Sequence, residues 1–210
     1  MKKSKIATTI AEAMVVMTVI VIGLTGIYRI YSESSRLSNS VEIKIQAIQI
    51  AREGIEAITN IRDTNWILYS SDKNNCWKTL NYNSGCIGNA SPNNIANNGN
   101  YKVYRNSANR WQLESDGGLI GDDFSTTNYK DFYKIFLDQN SLYTHTYTGD
   151  TRTLTNTKGV FTRQIKTSYV DPGDGNTNNG LQVRSIVRWV DSGGTNINEI
   201  VLETILTNHK

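Results

Sequence analysis

Hydrophobic and polar positions divide the chain into three regimes. From Ala13 to Ile27 the residues are apolar on every side, broken only by Thr18, Gly23, Thr25 and Gly26. Counted from Ile6 to Tyr31, the run amounts to the roughly 20 residues that cross a bilayer. From Leu37 the pattern changes to Leu37, Val41, Ile45, Ile48, Ala51, Ile55, Ile58 and Ile61, in steps of three and four that trace one face of a helix. Polar Glu42, Lys44, Gln49, Arg52, Glu53 and Glu56 fall between them. No proline precedes Pro92, so the spacing predicts one helix from about Thr8 to Arg62, on the order of 80 Å at 1.5 Å per residue. The serine-rich segment Ser32–Ser40 is its weak point, where a bend or frayed turn is compatible with the sequence.

Beyond Trp66 the period shortens to two. Segment 74–100, crowded with asparagine and carrying Gly85, Gly88, Pro92 and Gly99, predicts irregular chain. Tyr101–Arg105 and Arg110–Glu114 predict a hairpin, and Asp131–Leu137 with Leu142–Thr148 a second one around the turn "DQNS". Val160–Val170, Leu181–Val190 and Ile197–Thr207 alternate most clearly, with turns at "DPGDGNTNNG" and "DSGG". No helical stretch separates these strands, so they are expected to be antiparallel. The expected class is α+β: a long N-terminal helix, half membrane-spanning and half amphipathic, packed on an antiparallel sheet with the isoleucine stripe as one wall of the core.

Composition changes this picture little; charge changes it more. Apolar residues make up 38 % and charged residues 20 % of the 210, as in a folded domain. Lys2, Lys3 and Lys5 account for the whole +3 net charge, leaving the rest of the chain neutral and without a nucleic-acid-binding field. Cys76 and Cys86 are too far apart for a CxxC pair, and His145 and His209 add no metal-ligand spacing. The simplest reading is a disulfide if this region lies outside the cytoplasm; otherwise they are two reduced thiols. Glu12 stands out: a carboxylate in a membrane helix costs about 2.5 to 3.5 kcal/mol on insertion scales.

A short basic leader, a small residue at Ala7, a threonine-rich start and an acid at the fifth position counted from Thr8, ahead of an apolar helix, together resemble the signal of type IV pilins and type II secretion pseudopilins. The resemblance implies a cut at Ala7–Thr8 by a prepilin peptidase, methylation of the new amino terminus at Thr8, and an anchor helix that stays attached. The sequence departs from the family in having Ala7 where glycine is usual and Thr8 where phenylalanine is usual. It also carries Arg29 near the place where many major pilins have a helix-kinking proline. "IAREGIEAITNIRDTNW" (Ile50–Trp66) resembles the helix end of minor pilins.

The implied organisation is a leader at 1–7, a transmembrane half-helix at 8–31, an amphipathic half at 32–66 and a β-rich domain at 67–210. The implied function is a structural subunit, minor rather than major, of a pilus or pseudopilus. It would be held in the bacterial cytoplasmic membrane with the C-terminal domain outside, and then displayed on the pilus or cell surface. Its partners would be other pilin or pseudopilin subunits and the peptidase, with Glu12 pairing with a neighbour's free amino terminus during assembly. The competing reading is a membrane-anchored surface module that never polymerises and that captures DNA or a host surface.

The remaining motifs carry less chemistry. Asp171, Asp174, Asn176 and Asn178 are hard oxygen donors that form a weak calcium candidate; Gly180 comes one place late for an EF-hand loop, and Ser185 stands where its final glutamate belongs. Asp116, Asp122 and Asp123 are read as turn residues. His145 has no nucleophile near it in sequence, and no hydrolase motif occurs, so neither enzymatic activity nor a cofactor is expected. Trp66, Trp77, Trp111 and Trp189 are either core or a stacking surface for sugars or single-stranded DNA.

Overall fold

The computed structural model describes residues 4–89, 93–137, 142–145, 152–153, 155–156, 159–190 and 196–208, with backbone alone for 4–9, 152–153 and 155–156. Met1–Ile43 and Lys44–Lys210 form two separate packing units. Helix α1 runs from Ser4 to Leu68 and is α-helical through Ser32–Ser40. It starts earlier and ends later than its periodicity predicts, because neither proline nor a capping glycine stops it. In the first unit, every side chain from Ile10 to Asn39 is exposed.

The second unit is built on a five-stranded antiparallel sheet in the order β10-β9-β8-β1-β2. Its strands are β1 (Gly99–Arg105), β2 (Trp111–Ser115), β8 (Thr162–Val170), β9 (Gly180–Val190) and β10 (Ile197–Thr207). Between β2 and β8 lie five two-residue strands: β3 (Phe136–Leu137), β4 (Tyr143–Thr144), β5 (Arg152–Thr153), β6 (Thr155–Asn156) and β7 (Gly159–Val160). They form the small sheets β4-β3-β5 and β6-β7. A one-turn helix α2 (Lys73–Cys76) follows α1, and α3 (Thr127–Tyr133) precedes β3. The α+β class and the antiparallel sheet are as the alternation predicts, and the expected first hairpin is β1–β2, with Val103 opposite Leu113.

Part of α1 packs on the inner face of this sheet through the C-terminal members of the predicted stripe, Ala51, Ile58 and Ile61 with half-buried Ile55, but not through its earlier ones. Its buried positions are Ala47, Ile50, Ala51, Ala57, Ile58 and Ile61, whereas Leu37 and Val41 in the first unit and Ile45 and Ile48 in the second are exposed. The buried face mixes large Ile50, Ile58 and Ile61 with small Ala47, Ala51 and Ala57, so before Ile50 the large apolar residues do not mark it. At Gly54 a Cβ would lie 2.5 Å from Ser185 Oγ, 3.0 Å from Ile165 Cδ1 and 3.1 Å from the Arg163 side chain. Only glycine permits so close an approach of helix to sheet. Trp66, Trp77, Tyr101, Val103, Leu113, Ile165 and Val183 complete this core.

The outer face is partly covered by a second apolar cluster of Phe124, Tyr129 and Tyr133. Here the expected strand Asp131–Leu137 is corrected, since its first three residues belong to α3. Thr126 caps that helix by accepting the Tyr129 N–H, and Tyr129 and Tyr133, four apart, stack with ring centroids 4.8 Å apart. The second hairpin survives only as Phe136↔Thr144 and Leu137↔Tyr143. Its turn at 138–141, the stretch 146–148, the "DSGG" turn and Pro92 lie outside the described residues.

The two ends of the large sheet differ. At the β2 edge Asn81, at φ 52°, turns its carboxamide onto Leu113, accepting from its N–H at 2.8 Å and donating to its carbonyl at 2.9 Å. Tyr82 donates its hydroxyl to the Trp111 carbonyl at 2.8 Å. The edge is thereby closed as a further strand would close it. Among the described residues nothing comparable meets Ile197–Leu206 of β10, whose strand partner is β9.

Candidate functional site

The apolar half of α1 is the most distinctive chemical surface in the chain. Met14, Val15, Met17, Ile20, Ile22 and Leu24 are between 49 % and 67 % exposed. A helix that is apolar all round and uncovered is built for a non-aqueous surrounding. The two threonines within Ala13–Ile27 conform to that: Thr18 donates to the Met14 carbonyl at 2.8 Å, and Thr25 donates to Val21 and Ile22. Both hydroxyls are satisfied within the helix. By length and composition this helix can cross a membrane once.

Glu12 lies one turn before this surface and is exposed. Among the described residues, no cation or donor meets its carboxylate. The backbone at Ala7 and Thr8 is helical, and their side chains, with Lys2 and Lys3, lie outside what is described.

A second constellation, which the sequence reading missed, centres on Arg163. Its side chain is wholly buried, and the guanidinium donates to the carbonyls of Ile50 in α1 (3.1 Å), Val103 in β1 (3.4 Å) and Tyr143 in β4 (3.5 Å). Its Nε donates to His145 Nε2 at 3.4 Å, and the Glu53 carboxylate stands 3.9 Å away. His145 Nδ1 meets the Lys134 carbonyl at 3.1 Å, so the proton sits on Nδ1 and Nε2 accepts. Burial, reinforced by the Arg163 and Lys102 charges, holds His145 well below its usual value and keeps it neutral. Burial raises Glu53, and the opposing pull of Arg163 does not cancel it. Burial also lowers Arg163, to about 10, so it stays charged near neutral pH. A hollow of about 300 Å³ opens beside Glu53, lined also by Arg52, Glu56, Arg105, Trp111 and Tyr143. The cluster ties one helix to two sheets. Its sequence signal was a basic residue in the inward register of β8, between Phe161 and Ile165.

The other candidates resolve into local structure. Cys76 and Cys86 are joined by a disulfide, with Cα atoms 5.1 Å apart. Asp171 Oδ1 accepts the N–H groups of Gly173, Asp174 and Gly175, and Asp174 and Asn176 each accept an N–H two residues on. These oxygens are engaged in shaping the turn, and the Asn178 carbonyl accepts from Lys78. Among the described residues, no group of three or more His, Cys, Asp or Glu is arranged to hold a metal ion.

Asp123 is a turn residue, but Asp116 and Asp122 do more. Buried Asp116 accepts the Tyr133 hydroxyl at 2.9 Å, and Asp122 binds Gln164 and Lys166. Burial pushes Asp122 up, but these bonds outweigh it and hold it below the ordinary range. All four tryptophans are buried, so none offers a stacking surface. His209 lies outside the described residues. Compared with protein-family models, curated proteins and solved structures, the chain finds no match.

Proposed function

We propose that the chain is a structural subunit, minor rather than major, of a type IV pilus-like or type II secretion pseudopilus-like filament. In this reading the fold is pilin-like: the apolar half of α1 anchors a precursor in the cytoplasmic membrane, and the sheet unit lies outside. Polymerisation transfers the apolar half-helix from lipid into a bundle of equivalent helices. No residue is assigned a catalytic role.

The observation that carries the reading is the exposed carboxylate of Glu12, without a partner among the described residues, at the head of an uncovered apolar helix. An isolated carboxylate there is unfavourable in lipid, whereas pairing with a neighbour's α-amino group would let two buried charges offset each other's desolvation. Glu12 then sets the register between subunits. The resemblance of the Lys2–Glu12 segment to a prepilin signal supports the same assignment, with Ala7–Thr8 as the junction and Thr8 as the methylated terminus.

Glu12→Leu is expected to leave membrane insertion intact and to abolish incorporation into filaments, as measured by fractionation and by immunoblotting of sheared filaments. Wild-type incorporation of that variant overturns the assignment. Intact mass of the protein from its native cell gives an independent reading: the proposal expects a chain that begins at a methylated Thr8. Retention of Met1–Ala7 with indifference to Glu12 supports instead a surface module that never polymerises.

A further inference from the structure

We propose that the open edge of β10 is a docking site for an extended segment of another protein, one whose side chains run basic–x–apolar–x–basic. The inference stands apart from the filament assignment.

Along Ile197–Leu206 the backbone bonds to β9 on one side only, and among the described residues no group meets the other side. In an antiparallel edge strand, alternate residues direct both N–H and C=O outward, which is a template for one more strand. Of the customary protections only charge is present, in Glu199 and Glu203. The strand is 11 residues long, has no proline, glycine, lysine or arginine, and keeps one register from Ile197↔Val190 to Thr207↔Gly180 without a bulge. Its outward row is Ile197, Glu199, Val201, Glu203 and Ile205, with the three apolar members 53 %, 42 % and 50 % exposed. At the opposite end of the sheet, Asn81 and Tyr82 occupy the equivalent positions, so only β10 can be extended.

Charge selects the occupant. On the outer face Lys166, Arg184 and Glu203 are successive cross-strand neighbours, and Arg188 stands opposite Glu199 in a 2.6 Å ion pair. Each glutamate thus has a cation as its cross-strand neighbour on β9 and, among the described residues, none on its open side. An incoming strand that puts a basic residue opposite each glutamate, and an apolar one opposite Val201, continues both rows. A second copy of this chain does the reverse. Antiparallel β10–β10 pairing centred on Val201 sets Glu199 against Glu203 twice, and parallel in-register pairing sets each glutamate against itself. The same two residues that favour a basic strand therefore reject a second copy. This is strand addition: the backbone supplies affinity and alternate side chains supply selection.

The test uses the full chain in detergent with two synthetic peptides, Thr-Lys-Thr-Val-Thr-Lys-Thr and its counterpart with glutamate at both lysines. The lysine peptide is expected to bind saturably and to slow hydrogen exchange at the β10 amides, while the acidic peptide does not bind. Glu203→Lys, which breaks no ion pair, is expected to weaken the lysine peptide at least tenfold and to gain binding of the acidic one. Unchanged exchange in β8 shows that the variant is folded. No binding of the lysine peptide, binding indifferent to Glu203→Lys, or protection away from β10 overturns the proposal. So does protection of β10 that rises with protein concentration in the absence of peptide, which would make the occupant a second copy.

Discussion

Arg163 serves four hydrogen-bond acceptors and one carboxylate from the centre of the sheet unit, and the groups around it are tuned in opposite directions. His145 is depressed by burial first and by the Arg163 charge second. An unfolded chain returns it to about 6.5, so its contribution is complete above that value and is lost as pH falls below it. Glu53 is raised by burial from 4.5, so its contribution is present in acid and is lost as pH rises through its folded value. Denaturant titrations of the wild type and two variants separate the two. His145→Gln is expected to flatten a loss that steepens below pH 6.5 toward about 1.4 kcal/mol per pH unit. Glu53→Gln is expected to gain on the wild type as pH rises from 4.5 to 7; equal slopes in all three proteins would contradict the assignment. Little of this was legible in advance. A strand reading that alternates inward and outward places Arg163 inward, but nothing in the sequence says that Ile50, Val103, Tyr143 and His145 converge on it.

Elements show where sequence patterns succeed and where they slip. β9 and β10 follow their alternation to within a residue, because each presents a core face and an outer face to different surroundings. The stripe on helix α1 marks the buried face at Ala51, Ile58 and Ile61 but misses it earlier, where the chain brings Ala47 inward and leaves Ile45 and Ile48 outside, and it omits Gly54 and Ala57. Helix α3 was mistaken for a strand because its signal, Thr126 with Tyr129 and Tyr133, starts before the apolar run. The close approach at Gly54 can be tested. Gly54→Ala gains about 1 kcal/mol of helix propensity, yet overpacking at this depth costs about 1–3 kcal/mol. Net destabilisation by calorimetry is expected. Ser185 Oγ is buried without a partner, so Ser185→Ala should be neutral or stabilising alone and should recover part of the Gly54→Ala loss. Strict additivity would mean that the two side chains do not meet.

Taken whole, the chain joins a uniformly apolar helix segment, exposed and unsatisfied in water, to a sheet unit that keeps its own core. The helix and the α+β class were legible because hydrophobic period is a property of consecutive residues. The Arg163 cluster and the plugged β2 edge were not, because they join residues far apart in sequence. The disulfide adds a consequence of its own. Cys76 and Cys86 bracket Asn81 and Tyr82, the two residues that close the β2 edge. Closing a loop of this size stabilises by about 3 kcal/mol through chain entropy, and here the restrained loop is also the plug. Reduction should let Asn81 leave Leu113, after which the sheet has two exposed ends instead of one. Light scattering of the full chain in detergent, with and without reductant, is expected to show aggregation only in the reduced protein, and Asn81→Ala to aggregate even when oxidised. A reduced protein as soluble as the oxidised one would mean that the plug holds unaided. The oxidation state of one small loop would then determine whether the molecule keeps to itself or sticks to its neighbours, which makes compartment a condition of solubility as well as of stability.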